Sequence, residues 1–522
     1  MTNGPNGKQL TWGDALFLYL ERAGMPLNIA SVSIFDGPIS FEECLQSLES
    51  KLTLLPRYYQ RIVAPPLDIG FPSWEYDPEF DIRNHVRKLT LKRGTERELK
   101  MVTGKILSSV MDRRRPLWDL TLVQGLRDNR TALITRVHHC LADGMAGIGL
   151  MGTLLDSTPE PQSIPTKKRS HPKLHPQGSW TQLVDGWVAS LSEFVQRMLS
   201  AQGDMLNFSQ NLLASGDWPF SEFSRFFPEL TAPTERLFFN KTYRGPQKYA
   251  WAQIPLATLK AIRHRCGVTL NDVILALMTA TIQRYSEQHG ERVRGRLFRM
   301  MVPVNFRSRE RQDELGNCIS LLPVTVPLGI RNPRKLLAAV HERTDFLKRA
   351  HIAELVGLVG GIVGSAPAPL QALVGPVASL LPVTPFNLVC TNVRGPQSPL
   401  YLLGRKMVDW YPYVPVGGEM ALNCAILSYN ETAYFGFSGD VHAAPDLECL
   451  ETLLQTSLSE LQSSAGLKPQ VKRKRMARKP KTVTPVKRAT SASRVVPMKA
   501  AHSTSQPAAS GEPGTPVFVA AD

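Results

Sequence analysis

Residues 131–144 read T-A-L-I-T-R-V-H-H-C-L-A-D-G, a β-forming run that ends in two histidines, with an aspartate and a glycine after three intervening residues. A second β-rich run, L-W-D-L-T-L-V-Q-G-L, occupies 117–126, and D-N-R lies between the two runs. Two such runs around a short polar turn predict a β-hairpin. The apolar spacing after Asp143 predicts a helix that Asp143 caps, so a strand–turn–helix unit is expected.

The adjacent histidines should differ in their surroundings. Consecutive strand residues point to opposite faces, so only one of His138 and His139 can face a given cleft if the strand continues to its end. One imidazole can then act as a general base on a substrate hydroxyl, while the other is a packed support. A lone histidine is more often structural. The whole pattern H-H-x-x-x-D-G, however, is expected by chance in only about one in a thousand chains of this length.

Several other site types lack their sequence signals. A zinc site needs more ligands than two neighbouring histidines, and no H-E-x-x-H motif or cysteine cluster supplies them. No G-x-S-x-G elbow of a serine hydrolase is present. The seven cysteines stand singly, which is typical of reduced thiols in the cytoplasm. The first thirty residues hold two acids and no uninterrupted apolar core, so no signal peptide is predicted.

The length of 522 residues favours more than one domain. Composition shifts and periodicity divide the chain into four segments. We predict an N-terminal α/β unit at 8–155, a linker with connecting helices at 156–234, a second α/β unit at 235–465 and a tail at 466–522. In the second unit, L-A-T-L-K-A-I-R-H-R-C and V-T-L-N-D-V-I-L-A-L-M-T-A-T-I-Q-R-Y read as helices; L-F-R-M-M-V-P-V, F-N-L-V-C-T-N-V and A-Y-F-G-F-S-G read as strands.

The tail accounts for most of the positive charge. From Lys468 onward there are 12 Lys or Arg residues and two acids, so this segment carries +10 of the formal charge of +16. With few large apolar residues it is predicted to be disordered. Its run V-K-R-K-R-M-A-R-K-P-K is compatible with a solvated tail, with a membrane-surface tether or with polyanion binding.

Residues 355–393 contain no Asp, Glu, Lys or Arg. Five prolines interrupt this stretch, which is too broken for a straightforward membrane-spanning helix of about 20 apolar residues. Three interpretations remain open: a buried core, a re-entrant or interfacial segment, or the wall of a pocket for an apolar substrate.

The strand-ending H-H-x-x-x-D-G motif resembles the signature of the coenzyme-A-dependent acyltransferase superfamily, which includes chloramphenicol acetyltransferase-like enzymes and the condensation domains of peptide synthetases. Within it, residues 8–462 resemble the bacterial wax ester synthase/diacylglycerol acyltransferase family. The stretches that carry this resemblance, in chain order, are L-T-W-G-D-A-L-F-L-Y-L-E, S-I-F-D-G-P, R-R-P-L-W, L-N-D-V-I-L-A, P-V-N-F-R, L-G-N-C-I-S, T-N-V-R-G-P and L-S-Y-N. The chain departs from the family pattern at Cys140, Asn305 and Arg394, where the family often has Ala, Ser and Pro.

The resemblance implies an α/β fold in which two chloramphenicol-acetyltransferase-like domains pack around a central tunnel. It implies that His139 is the general base, that it deprotonates a fatty alcohol or diacylglycerol, and that the oxygen attacks an acyl-CoA thioester. His138 would support the base, and Gly144 would permit a close backbone approach. Acyl-CoA is a substrate, so no cofactor and no metal are expected. The chain is expected in the cytoplasm, peripheral on the inner membrane or on lipid droplets, and not bound to nucleic acid.

Other residues of the motifs have two possible roles each. Asp143 could polarise His139, or it could hold the loop by capping the next helix and by pairing with an arginine, for which Arg307 is the candidate. The trio Pro116, Leu117 and Trp118 could pack in the core or shape the acyl pocket. Asn271 and Asp272 could begin a helix or line the substrate site.

Three rival functions are compatible with parts of the sequence. The first is a superfamily acyltransferase with another acceptor, such as an amine or a polyketide hydroxyl. The second is a lipid-droplet or membrane-binding protein without catalysis, which the intact histidine pair disfavours. The third is a nucleic-acid binder, which depends on the tail alone.

Overall fold

The structure is a computed structural model, and all the residues that it describes belong to one compact unit, Met1–Gln470. The described residues are 10–22, 24–64, 72–161, 234–305, 319–350, 352 and 386–468. Arg307, the tail and most of the charge-free stretch lie outside them, so the predictions for these segments are not addressed by the structure.

The described residues contain eight α-helices, numbered here in chain order. They are α1 Trp12–Leu20, α2 Phe41–Leu52, α3 Glu96–Leu107, α4 Gly144–Leu154, α5 Leu256–Cys266, α6 Leu270–Gln288, α7 Pro333–Arg349 and α8 Cys449–Ser464. Short 3₁₀ helices span Pro56–Tyr59, Ile82–Asn84 and Arg127–Asn129.

Fourteen strands lie in the same part of the chain. They are β1 Asn28–Phe35, β2 Gln60–Val63, β3 Ser73–Tyr76, β4 Val86–Thr90, β5 Trp118–Gln124, β6 Thr131–His138, β7 Gln247–Pro255, β8 Leu297–Asn305, β9 Ile319–Pro327, β10 Leu388–Arg394, β11 Tyr401–Leu402, β12 Arg405–Tyr413, β13 Leu422–Tyr429 and β14 Thr432–Asp440.

Two mixed six-stranded sheets organise the unit. The first has the order β11-β12-β1-β6-β5-β4, and the second has the order β7-β14-β13-β10-β8-β9. Most neighbours are antiparallel; β4 runs parallel to β5, and β10 runs parallel to both β8 and β13. Strands β2 and β3 form a separate pair. The predicted α/β class is therefore confirmed.

The hairpin that opened the sequence analysis is present. Strands β5 and β6 pair antiparallel, and Asp128 and Asn129 at the turn adopt positive φ angles of 60° and 55°. Aspartate and asparagine tolerate this left-handed region better than most residues, which explains why D-N marks the reversal. The helices and strands predicted in the second unit are also present, with ends shifted by a few residues.

A strand exchange joins the two halves of the chain. Strand β12 comes from the C-terminal half but pairs with β1, with Ala30 opposite Tyr413. Strands β12 and β14 approach so closely that a Cβ atom on Gly436 would lie 1.7 Å from the carbonyl oxygen of Pro412. Only glycine fits there. No local pattern in the sequence indicates this exchange, and the domain boundaries at 8–155, 156–234 and 235–465 stay a prediction.

The two apolar cores follow the two sheets. The larger one surrounds α6, whose residues from Val273 to Ser286 are mostly buried against the second sheet. The other fills the N-terminal half but also takes in Trp251 from β7 and Tyr411 from β12, whose rings stack at 4.7 Å. Aromatic pairs of this kind contribute beyond the area they bury, so the seam between the halves is a packed one.

The described residues contain neither a single membrane-spanning helix nor a metal-binding cluster. No single helix there has both the length and the apolar composition needed to span a membrane, although α5 and α6, which meet at 103°, meet those criteria as a bent pair. In the same residues, no group of three or more His, Cys, Asp or Glu side chains is arranged to hold a metal ion.

Candidate active site

The motif H-H-x-x-x-D-G forms the end of β6, a turn and the start of α4. The strand ends at His138, one residue earlier than a strand through both histidines would require, and His139 begins the turn. The sheet ladder nevertheless continues by one bond, because the His139 N–H donates to the Leu27 carbonyl at 3.0 Å. This bond places the His139 main chain against the first residues before β1.

His138 is completely buried, and both of its ring nitrogens lie near polar groups of the protein. Its Nδ1 accepts a hydrogen bond from the Cys140 N–H at 3.1 Å, and its Nε2 lies 3.3 Å from the Glu21 carboxylate oxygen Oε1. A ring nitrogen that accepts carries no proton, so Nε2 carries one and faces the carboxylate. His138 is thus an oriented, buried support.

Glu21 follows the C-terminal end of α1, and its carboxylate lies near nitrogen atoms of His138, Leu27 and Arg113. Its Oε1 also accepts the Leu27 N–H at 3.1 Å, and its Oε2 lies 3.1 Å from Nη2 of Arg113. Burial by itself would raise the pKa of this carboxyl group, but the contacts to His138, Leu27 and Arg113 outweigh burial and hold the pKa below its ordinary value. Glu21 is therefore ionised at neutral pH.

His139 lies in a different environment. Its ring stacks on Phe17, with the ring centres 3.7 Å apart and the planes inclined by 10°. Burial lowers the pKa of His139 to about 4; a hydrogen bond between the ring and its own main chain opposes this, and the neighbouring His138 adds to it. The two histidines therefore have different contacts, since one lies against a carboxylate and the other against an aromatic ring, while their roles stay a prediction.

The state of His139 suits a general base. With a pKa near 4 the ring is neutral at neutral pH. A neutral imidazole has one nitrogen with a lone pair, which can accept a proton from a hydroxyl group. Stacking on Phe17 restrains the ring in one plane, so the lone pair has a defined direction.

Asp143 and Gly144 begin α4 as the sequence predicted. The Asp143 side chain accepts the Ala146 N–H at 2.7 Å and occupies the N-cap position. The Asp143 carboxyl oxygen is therefore committed to the helix end, which favours the loop-holding interpretation. A Cβ atom on Gly144 would lie 3.3 Å from Cγ2 of Val393 on β10, so the helix start sits close to the second sheet.

In the second pair of motif residues, Asn271 and Asp272, one residue is again buried and the other is partly exposed. Asp272 is fully buried and closes a capping box with Thr269 at the start of α6. It also accepts hydrogen bonds from Thr344 Oγ1 at 2.6 Å and from His341 Nδ1 at 2.8 Å, both on α7. These contacts overcome the effect of burial and lower the pKa of Asp272. Asp272 thus ties two helices together and does not face a cleft.

Asn271 contacts the strand that Gly144 approaches. Its side-chain oxygen accepts a hydrogen bond from Asn392 Nδ2 at 3.3 Å, and Asn392 precedes Val393 on β10. Side chains of consecutive strand residues point to opposite faces, so the starts of α4 and α6 approach β10 from opposite sides. Strand β10, which carries the T-N-V-R-G-P stretch, therefore links the two motifs.

The apolar residues Pro116, Leu117 and Trp118, at the start of β5, are buried in the core. The Leu117 carbonyl accepts the His138 N–H at 2.9 Å, and the Trp118 indole donates to the Tyr58 carbonyl at 2.7 Å. Pro116 is buried beside them. These contacts favour the core-packing interpretation, in which the trio supports the motif strand from behind.

Cys140 replaces the alanine that is frequent in the family. It is buried in a small cluster with Leu117, and burial raises the pKa of its thiol well above the ordinary value. Such a thiol stays protonated and behaves as a small apolar side chain, which explains why cysteine can stand where alanine is common.

Two residues of this arrangement, Phe17 and Glu21, were not among the predicted site residues. Phe17 lies in the last turn of α1 and Glu21 directly follows the helix, four positions later. That spacing is visible in L-T-W-G-D-A-L-F-L-Y-L-E. It does not show which strand the two residues meet, because the partner residues lie more than a hundred positions away.

Comparison with known proteins gives a consistent result. Residues 10–274 match a family model described as the wax ester synthase/diacylglycerol acyltransferase catalytic domain, and residues 315–462 match the C-terminal domain of the same family. A Mycobacterium tuberculosis protein named "probable diacylglycerol O-acyltransferase" is 30% identical over 458 residues, which cover 87% of this chain and 95% of that protein.

Solved structures share the fold. A wax ester synthase/diacylglycerol acyltransferase from Marinobacter aquaeolei VT8 superposes with a TM-score of 0.61 at 23% identity, covering 88% of this chain and 100% of that one. The first condensation domain of the calcium-dependent antibiotic synthetase superposes with a TM-score of 0.56 at 15% identity, covering 89% of this chain and 98% of its own. The predicted pair of chloramphenicol-acetyltransferase-like domains is therefore confirmed, while the tunnel stays a prediction.

Proposed function

The chain belongs to the wax ester synthase/diacylglycerol acyltransferase family, and from this premise we propose its reaction and its base. It is an acyl-CoA-dependent O-acyltransferase. The acyl acceptor is the hydroxyl of a diacylglycerol, a long-chain fatty alcohol or both, and the products are triacylglycerol or wax ester and free CoA. His139 is the general base.

The observation that carries this proposal is the state of the His139 ring. It is neutral and stacked on Phe17, next to a histidine whose ring nitrogens face Glu21 and the Cys140 N–H. General base catalysis requires a neutral imidazole with a directed lone pair. Of the two histidines, His139 alone meets that requirement.

The reaction can be written with His139 as the only proton carrier. As the acceptor oxygen attacks the thioester carbonyl carbon, its proton moves to the imidazole and a tetrahedral oxyanion forms. The C–S bond then breaks, and the imidazolium returns the proton to the departing CoA sulfur. The ester and free CoA leave with atoms and charge balanced, so no cofactor takes part.

The remaining motif residues are assigned to support and to the pocket. His138 and Asp143 hold the turn that carries the base, and Asn271 contributes to the pocket wall through its contact with β10. Trp118 and Asp272 act from within the two cores. The packing of Gly144 against Val393 keeps the start of α4 close to the second sheet.

The location follows from the substrates and the charge. Diacylglycerol and fatty alcohols reside in membranes and lipid droplets, and a segment with +10 charge is attracted to anionic lipid surfaces. We therefore place the enzyme in the cytoplasm, peripheral on the inner membrane or on droplets.

A sedimentation assay with vesicles that contain phosphatidylglycerol tests the role of the tail. The full chain should bind the vesicles, and a chain truncated after Gln470 should stay unbound but still transfer acyl groups. Equal binding by both chains would contradict this role of the tail.

The test of the reaction uses the purified full chain with palmitoyl-CoA and either dioleoylglycerol or hexadecanol. We expect thiol release together with the matching ester, and a loss of about 10²- to 10⁴-fold in His139→Ala. His264→Ala, at an exposed histidine of α5, is the matched control and should keep full activity. Comparable activity in His139→Ala would overturn the assignment of the base. Transfer to hexadecylamine but to neither alcohol would favour the rival acceptor.

A further inference from the structure

Helix α1 and the residue that follows it contact both histidines of the motif. Phe17 on α1 stacks on the His139 ring, and Glu21, directly after the helix, lies against the His138 ring. The two contacts come from residues four positions apart in one short segment, so this segment orients the pair. The reaction as described uses Phe17 only as a stacking surface and gives Glu21 no part beyond its contact with His138.

Two routes lead from Glu21 to His139. In the first, the carboxylate faces the Nε2 proton of His138, whose Nδ1 accepts the Cys140 N–H directly after the base. In the second, the carboxylate accepts the Leu27 N–H at 3.1 Å, and the carbonyl of Leu27 accepts the His139 N–H at 3.0 Å. A shift of Glu21 would therefore displace the base on both sides.

We propose that Glu21 is a positioning residue for acyl transfer: its carboxylate holds the ring orientation of His138 and the backbone of Leu27, and together these place the His139 imidazole against Phe17. The inference rests on the proposed function, in which His139 is the base. Glu21 itself is buried, with 2% of its side chain exposed, and touches neither substrate.

Arg113 makes the proposal specific. Its guanidinium donates to Glu21 Oε2 at 3.1 Å and to the Leu18 carbonyl at 2.8 Å, and its side chain is 46% exposed. In Glu21→Gln, an amide nitrogen that faces Arg113 would set two donors against each other, and the cation would lose its counter-charge. The Glu21→Gln side chain would then turn or shift, and the positions of His138 and Leu27 that depend on it would shift as well.

The experiment measures kcat and KM for palmitoyl-CoA in four variants of the full chain. Glu21→Gln should lower kcat about 10- to 100-fold, as expected when a reacting group is misplaced, and leave KM within about twofold. Arg113→Met should change kcat less than about threefold. The double variant should recover most of the lost kcat, whereas a purely structural role would make it worse than either single change. Glu96→Gln is the matched control: it removes an exposed ion pair with Lys100 on α3 and should leave kcat and KM as in the wild type.

A second measurement needs no turnover. In ¹⁵N-histidine spectra, His138 should show the Nε2–H tautomer, identified by its loss in His138→Gln. Because the Cys140 N–H still fixes this tautomer in Glu21→Ala, that variant should keep it but shift the Nε2–H resonance of His138 and speed the exchange of its proton with water, while the remaining histidines keep their signals. Wild-type kcat in Glu21→Gln, no recovery in the double variant, or an unchanged His138 Nε2–H resonance in Glu21→Ala would each overturn the proposal. A wild type that makes no ester would instead overturn the proposed function and leave the spectroscopic test to decide this inference.

Discussion

Two pairs of adjacent polar residues, one in each half of the chain, share a pattern of burial and contacts. In His138–His139 and in Asn271–Asp272, one member is completely buried and the other is partly exposed. Each buried member forms an acid–histidine contact, His138 with Glu21 at 3.3 Å and Asp272 with His341 at 2.8 Å.

The difference lies in which partner is the motif residue. In the N-terminal half the histidine is on the motif and the acid comes from α1; in the C-terminal half the acid is on the motif and the histidine comes from α7. The neighbour of the buried residue is an imidazole, His139, in the N-terminal half and an amide, Asn271, in the C-terminal half, and of these two only the imidazole can act as a base. A buried carboxylate at a helix start serves capping first. The comparison therefore locates the chemistry in the N-terminal half.

The strongest test of this division compares the two histidines. His138→Ala should lower the free energy of unfolding by about 3 kcal/mol, because it leaves a cavity and a buried carboxylate that has lost a donor. His139→Ala should cost only about 1 kcal/mol, the loss of stacking on Phe17. Urea denaturation of both variants checks this. If His139→Ala were the more destabilised of the two, the support and the base would have been assigned in the wrong order.

The C-terminal pair should show the same asymmetry in stability. Asp272→Ala removes the acceptor of Thr344 and His341 and half of the capping box, so we expect a loss of about 2 to 3 kcal/mol in the free energy of unfolding. Asn271→Ala should cost less than about 1 kcal/mol, since its contact at 3.3 Å is long and partly exposed. Thermal and urea unfolding measure both. Equal losses would remove the parallel between the two halves.

The dependence of stability on pH tests the environment of His139. Its folded pKa of about 4 lies below the unfolded value of 6.5, so the unfolded chain binds the proton first, and the stabilisation that is complete above pH 6.5 is lost as the pH falls towards 4. Between pH 7 and pH 5 this amounts to about 2 kcal/mol. His85, whose pKa burial also lowers, acts in the same direction.

The variant His139→Gln isolates the contribution of His139 from that of His85. The difference in unfolding free energy between pH 7 and pH 5 should shrink by about 2 kcal/mol in this variant. The matched variant His264→Gln, at an exposed site, should keep the wild-type difference. An unchanged difference in His139→Gln would mean that the ring is not buried in solution.

Local features of the site were predictable from sequence, because they depend on neighbours in the chain. The hairpin, the cap by Asp143 and the unlike surroundings of His138 and His139 follow from turn residues, capping preference and strand alternation. The contribution of Glu21 was not predictable, since the contact joins residues that only the folded sheet brings together. The pairing of β12 with β1 in the first sheet was not predictable for the same reason, because the register between distant strands leaves no local signal in the sequence.

The smallest expected effect concerns Asp143 and decides between its two interpretations. Asparagine is nearly as good an N-cap as aspartate, so Asp143→Asn should change the free energy of unfolding by less than about 0.5 kcal/mol and kcat by less than about threefold. Asp143→Ala, which loses the acceptor for the Ala146 N–H, should cost about 1 kcal/mol. Thr269→Ala, at the N-cap of α6, is the matched control for stability alone. If Asp143→Asn were as stable as the wild type but lost most of its kcat, the carboxylate charge would act on His139, and the turn would have to be treated as a catalytic relay.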